Sequence, residues 1–343
     1  MFVNSVVKTR AVKWWLLTIY FLLILMIIVG GLTRLTDSGL SITKWELFTG
    51  ILPPFTSSQW NIYFLEYKKI PEFIYLNSNI TLKEFKVIFY WEYFHRLLAR
   101  IVGLVSLIPL LYFVYKYRNE TKNLIKYFII FILVCLQGFL GWYMVESGLV
   151  ERVDVSHFRL AAHLSLAFVI LSLTFWYLLE TINIKSFDYK ISNLFLTCLL
   201  LVIFLQIILG AFLAGLDGGL IFNTWPDMNG KIFPDDSKFA DFFTYDALNS
   251  PSIIQFVHRK IAYVLTFLIL YFNFIYIKKK LPLTPLIVFD LTILFQIFLG
   301  VITLLSGAKI LYASLHQIGS IFVVSSFLFI FFKNFKTNLQ PLN

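Results

Sequence analysis

The chain has 343 residues, of which 59% are hydrophobic, 19% aromatic and only 14% charged, and its mean hydropathy is +0.80. A water-soluble domain carries about a quarter charged residues, so a soluble globular protein is excluded and a polytopic membrane protein is implied. The net charge of +10 does not indicate nucleic acid, because the basic residues form short tracts between apolar runs, as in membrane-flanking loops.

In chain order, Arg10 and Lys13 precede an apolar run from Trp14. The run is long for a signal-peptide core and lacks a small-residue cleavage site, so it reads as a retained first span. Eight spans of bilayer length are predicted, at about 14–33, 90–115, 124–145, 157–179, 193–214, 253–277, 284–305 and 311–332. The connections after the second, fourth and sixth are basic: Lys116, Arg118, Lys122 and Lys126, then Lys185 and Lys190, then Lys278, Lys279 and Lys280. Lys333 and Lys336 follow the last span. The other side has two long loops, 34–89 and 215–252, the second rich in aspartate. The positive-inside rule then places both termini in the cytoplasm, and the pattern suits a bacterial plasma membrane. Cys135 and Cys198 lie inside apolar runs, which argues against a disulfide or a cysteine metal site.

The chain repeats itself. Gly30 to Pro54 aligns without a gap on Gly210 to Pro234, sharing Asp37/Asp217, Gly39/Gly219, Leu40/Leu220, Trp45/Trp225 and Gly50/Gly230. Gln137-Gly-Phe-Leu-Gly141 matches Gln296-Ile-Phe-Leu-Gly300. The predicted fold class is therefore all-α and integral to the membrane, with eight helices in two pseudo-symmetric four-helix bundles, residues 1–180 and 190–335. Both halves have the same topology, as parallel repeats do. Gly30, Gly141, Gly210 and Gly300 end the odd spans, where they serve close helix packing or leave room for a flat ligand.

Each half contributes one histidine from its second span and one from its fourth: His95 and His163, then His258 and His316. All lie near the outer ends of their spans. Two imidazoles facing across a bundle can ligate haem iron axially. The residues one turn further on, Ala99, Ala167, Ala262 and Ser320, are small enough to spare a porphyrin. A zinc site would want further ligands close by. His157 has no counterpart, since Ile310 stands there, and reads as an interfacial residue. Arg96 and Arg259 follow two of these histidines directly, and Arg34, Arg100 and Arg159 lie nearby. They suit haem propionates or snorkel to headgroups and water.

Glu92 breaks the symmetry, because its counterpart is Gln255. A carboxylate there can exchange a proton or stabilise a cationic intermediate. It can equally favour a helix N-terminus or orient His95. A carboxylate in one half only suggests a division of labour: chemistry in the N-terminal half, and a structural or electron-transfer haem in the C-terminal half.

At these residues the sequence resembles the haem A synthase family over essentially its whole length. The resemblance rests on Glu92-Tyr-Phe-His95-Arg96, Gly30-Gly-Leu-Thr-Arg34-Leu-Thr-Asp-Ser-Gly39 and Phe158-Arg159-Leu-Ala-Ala-His163. Gly210-Ala-Phe-Leu-Ala-Gly-Leu-Asp-Gly-Gly219, Asn223-Thr-Trp-Pro-Asp-Met228 and Val257-His258-Arg259 complete it. It implies oxidation of a methyl group of haem O to the formyl group of haem A by two successive hydroxylations, supplying terminal oxidases. It further implies a b-type haem held by His258 and His316, a substrate haem at His95 and His163, and a part for Glu92 in turnover. Some members carry a cysteine pair in the first outer loop. This sequence has none, so it resembles the proteobacterial and mitochondrial branch. The implied partners are haem O, the bilayer, an electron donor the sequence leaves unnamed and, as open alternatives, the haem O-producing enzyme and a second copy of the chain.

The competing readings are a di-haem b-type cytochrome in quinol-linked electron transfer, expected to lack the Glu92/Gln255 difference, and a transporter. A transporter would need polar or charged groups near mid-membrane, and the charges here are expected at the outer ends of the spans.

Overall fold

A computed structural model describes residues 9–46, 49–118, 121–150 and 153–336. Ten α-helices follow one another with no strand among the described residues: α1 (Arg10–Leu35), α2 (Ser57–Tyr67), α3 (Pro71–Tyr75), α4 (Leu82–Lys116), α5 (Thr121–Gly148), α6 (His157–Glu180), α7 (Asn193–Gly215), α8 (Pro251–Lys278), α9 (Leu283–Leu305) and α10 (Ile310–Phe335). Eight of them are long and apolar enough to cross a bilayer, and each predicted span lies inside one of these eight. The chain ends, whose side of the membrane the basic tracts imply, lie in part outside the described residues.

The helices group into two compact units. One runs from Thr18 to Ile170; the other comprises the stretch up to Leu17 and everything from Leu171 onward. In the second unit α9 packs along α10, α7 along α8, and α10 against α7. Trp176, near the end of α6, inserts edge-on among Phe331, Phe332 and Phe335 of α10. Asn334 bonds the backbone of Ile191 in both directions, fixing the loop before α7. In the first unit the principal pairing is α4 with α5.

Two features depart from the sequence expectation. First, α4 starts at Leu82 rather than near residue 90. Thr81 and Glu84 form a reciprocal capping box, which satisfies two of the free N–H groups at a helix start. The added turns carry Phe85 and Phe89, which bury with Tyr93 in a small core made by the loop between α1 and α4: Leu40, Ile42, Trp60, Tyr67 and Ile70. The loop thus has its own hydrophobic centre, built on the protruding end of α4. Second, not every charge sits at an outer end. Asp290 lies inside α9, where both its carboxylate oxygens accept from the Asn273 side chain of α8 at 3.0 Å. Its neighbours in sequence are apolar. The amide N–H supplies a partner for a carboxylate placed inside a membrane-length helix.

An acid, Glu72, is buried against the loop core. Glu72 is 4% exposed and accepts hydrogen bonds from the Tyr67 hydroxyl at 3.0 Å and from Asn77 Nδ2 at 3.1 Å. Burial pushes its carboxyl up from 4.5 to about 8, with the negative charges of Glu92 and Asp37 adding to the effect; the bonds from Tyr67 and Asn77 oppose it. A carboxyl with a raised folded-state pKa binds its proton more tightly in the folded loop than in the unfolded chain. Its contribution is therefore greatest below the unfolded value and is lost as pH rises toward 8. Hydrogen exchange in residues 57–80 should accelerate between about pH 5 and 8 beyond its intrinsic pH dependence, and Glu72→Gln should flatten that excess. An excess equal in wild type and variant would show that another group is responsible.

Candidate functional site

Each of the four paired histidines rests on a glycine of the preceding membrane helix. A methyl group added at Gly30 of α1 would come 3.2 Å from His95 Cε1 of α4; at Gly141 of α5, 3.1 Å from His163 Cε1 of α6. The same holds in the other unit, at 3.3 Å between Gly210 of α7 and His258 of α8, and 2.9 Å between Gly300 of α9 and His316 of α10. The nearest ring atom is Cε1 every time. The four imidazoles therefore present the same edge to their glycine, and any larger residue would push the ring away. This gives the glycines a specific task within close helix packing: they seat an imidazole.

The histidines come together as the repeat implies. His95 and His163 lie within electrostatic reach of each other, as do His258 and His316. The Nδ1 atoms of His163, His258 and His316 are buried with no protein partner. A polar nitrogen in that state is costly unless something else engages the ring. No cluster of three or more His, Cys, Asp or Glu that could hold a bare ion occurs among the described residues. A metal centre on either pair thus needs further donors from outside the protein, and a haem brings its own equatorial ring. Paired imidazoles seated on glycines fit that group.

A second constraint comes from glutamines one helical turn before the glycines. Gln137 Nε2 donates to the His163 carbonyl at 3.0 Å, Gln296 to the His316 carbonyl at 3.0 Å, and Gln206 to the His258 carbonyl at 3.1 Å. Gln206 also reaches His258 Nε2, at 3.2 Å. Gly319 makes room for Gln296, since a Cβ there would collide with its Oε1 at 2.1 Å. The equivalent position before Gly30 is Met26, which has no N–H to give.

Glu92 does not stand free beside His95. It is 3% exposed and accepts at both oxygens. Oε2 takes the Ser41 hydroxyl at 2.7 Å and the Ile42 N–H at 2.8 Å; Oε1 takes Arg96 Nη2 at 2.5 Å. Arg96 also donates to the carbonyls of Ile42 and Lys44, at 2.8 and 3.2 Å. The pair clamps the start of the long loop after α1 onto α4. Gln255 and Arg259 do the same for the long loop after α7. Gln255, 1% exposed, donates to the carbonyls of Gly218 and Phe222 and accepts from Arg259. Arg259 donates to the carbonyls of Phe222, Thr224 and Asp227. Both loops begin with an aspartate in the left-handed region, Asp37 at φ 46° and Asp217 at φ 49°. The two clamps differ in polarity: the first loop offers donors, so a carboxylate meets them; the second offers carbonyls, so an amide meets them.

The remaining arginines have partners of their own. Arg34 pairs with Asp37 at 2.8 Å. Arg100 donates to the Glu46 carbonyl at 2.6 Å. Arg159 bonds the Ser147 hydroxyl and lies over the Tyr143 ring, 4.7 Å from its centroid. His157 is the first residue of α6 and is buried, and the two cysteines are free and exposed.

Residues 13–328 match the family described as cytochrome oxidase assembly protein. The chain belongs to this family. It is similar to the heme A synthase of Pelagibacter ubique, 60% identical over 334 residues, covering 97% of this chain and 99% of that one. The heme A synthases of Rickettsia bellii (42% over 318 residues, 91% and 94% covered) and Rickettsia africae (39% over 325 residues, 93% and 96% covered) are also similar. The sequence singles out the histidines, Glu92 and the arginines; it shows the Gln137 and Gln296 runs as a repeat but not that these glutamines reach histidine carbonyls. The signal for them was present as Gln-x-x-x-Gly, repeated at 137–141, 206–210 and 296–300.

The polarity of the clamps makes a prediction. Glu92→Gln turns an amide N–H toward Ser41 and Ile42 donors or toward Arg96, and should cost about 3 kcal/mol of local stability. Gln255→Glu sets a carboxylate against two carbonyls and should loosen the other loop. Limited proteolysis should find new cuts near 36–46 in the first variant and near 218–227 in the second. Unchanged cleavage in both would show that the clamps do not hold the loops.

Proposed function

We propose that this chain is a haem A synthase: a membrane-bound oxidoreductase that converts a methyl group of haem O to the formyl group of haem A, for use in terminal oxidases. The observation that carries the reading is the conjunction of two glycine-seated histidine pairs with full-length similarity to heme A synthases. Each hydroxylation converts a C–H bond of the same carbon to C–OH, a two-electron oxidation in which either O2 with an electron donor or water with an electron acceptor supplies the oxygen, and the geminal diol left by the second loses water to give the aldehyde.

His258 and His316 are assigned to a resident haem b, and His95 and His163 to haem O, so the C-terminal half (190–335) is the cofactor half and the N-terminal half (1–180) the substrate half. Haem b supplies one-electron redox chemistry when bound. The glycines set the azimuth of each imidazole, and the glutamines set the depth of three of the four ligand-bearing turns. Glu92 and Arg96 hold the first outer loop against the top of α4, beside the substrate pair. The Glu92 carboxylate accepts three hydrogen bonds, two at Oε2 and one at Oε1, which leaves one lone-pair site on Oε1 for a proton. Arg34 and Arg159 are the propionate partners we favour, since they are held by side chains (Asp37; Ser147 and Tyr143) that can yield, whereas Arg96 and Arg259 are committed to loop carbonyls. The basic tracts support a bacterial plasma membrane location with cytoplasmic termini.

The direct test is pigment extraction from respiring membranes that contain this chain and a haem O-producing enzyme, with the haems separated by chromatography. Haem A is expected only when the chain is present. Haem O and haem B alone would contradict the reading and favour the electron-transfer cytochrome. In the purified protein, His258→Ala or His316→Ala should abolish the low-spin b-type spectrum; a spectrum that survives intact would remove the pair from its assigned role.

A further inference from the structure

We propose that His95 is the exchangeable member of its imidazole pair, and that the residue which makes it so is Met26. The inference rests on the assignment of His95 and His163 to the substrate haem. It comes from an exception in an otherwise repeated arrangement. All four histidines have the glycine seat. Three also have the glutamine brace: Gln137, Gln206 and Gln296 each donate to the backbone carbonyl of the histidine on the next membrane helix. In each case the glutamine precedes the glycine in a Gln-x-x-x-Gly run, so both groups lie on one face of the donor helix, a turn apart. Together they fix two coordinates of the ligand, the ring from below and its own peptide group from beside. The run that serves His95 reads Met26-Ile-Ile-Val-Gly30. A thioether donates no hydrogen bond, and among the described residues no side chain takes the place of the glutamine at the His95 carbonyl.

The brace matters because of where it acts. An interhelical hydrogen bond in a bilayer contributes on the order of 1 kcal/mol, which is about a threefold to tenfold change in an equilibrium. Placed on the ligand's own carbonyl, it opposes any rotation or slide of that turn away from the pair. Without it, the His95 turn of α4 gives way before the His163 turn of α6. With a haem bound, a His95 turn that gives way would let a small neutral ligand take the place His95 would hold, with no change in oxidation state. The resident pair, braced on both sides by Gln206 and Gln296, stays closed. The positions would therefore divide a site whose histidine can exchange from one whose histidines are both held, and Gln137, Gln206 and Gln296 act as positioning residues.

Carbon monoxide is the probe. The purified, haem-loaded protein is reduced and its CO association followed in the Soret band. Wild type should bind CO at one haem. Met26→Gln should slow that reaction about threefold to tenfold, and Gln206→Met should render the second haem reactive. If Met26→Gln does not accumulate, Gln137→Met serves instead, and by removing the brace on His163 it should speed CO binding at the reactive haem. Rates that do not respond to these exchanges, in protein whose low-spin spectrum depends on His95 and His163, would overturn this inference alone. A low-spin spectrum indifferent to His95→Ala and His163→Ala would overturn the ligand assignment and this inference with it.

Discussion

The contact between a glycine and the edge of an imidazole governs how the membrane helices of this protein are arranged. At each of four places a helix must come close enough for the space of a missing side chain to be taken up by a histidine ring on its neighbour. Glycine carries a cost in a helix interior, and the bilayer offers little hydrophobic driving force to bring helices together. The cost is met because only glycine lets the backbone approach a ring this closely. Once the rings are seated, the pairing of His95 with His163 and of His258 with His316 follows from which helices lie beside each other.

The outer loops depend on the same helices. Glu92 and Gln255 each sit a turn before an arginine and each fasten a loop, yet they use opposite hydrogen-bond polarity because the loops present opposite groups. Read from the sequence, the Glu/Gln difference suggested a division of labour. The geometry supplies a structural cause for it that operates whether or not Glu92 also takes part in chemistry. It ties the acid to the loop that lies over its own half, so a change at Glu92 alters loop closure as well as charge. Any measurement on Glu92 variants has to separate these two effects.

Much of this was legible in the residues. Hydropathy marks the eight spans, and the internal repeat matches the histidines into pairs. Other parts were hidden for physical reasons. The start of α4 was misplaced because residues 82–89 are amphipathic rather than apolar and find their partners in a loop core, which no local periodicity reveals. Asp290 escaped notice because one aspartate hardly alters the hydropathy of a span; its partner Asn273 is on another helix. The glutamine braces act on backbone carbonyls, so they have no complementary side chain to be recognised by. Gln206 was further concealed because its repeat partner is Met26, and a search for shared residues passes over a difference.

The most direct test of the glycine seat is Gly300→Ala, the position with the least space, compared with Gly103→Ala, where nothing lies within 4 Å of an added methyl group. Both variants would be purified and their low-spin haem absorption recorded per mole of protein. The account predicts that Gly103→Ala retains the wild-type spectrum, while Gly300→Ala displaces the His316 ring and loses or shifts the low-spin band in protein that still accumulates. Identical spectra from the two variants would contradict it, because the ring would then tolerate the methyl group that the geometry says it cannot.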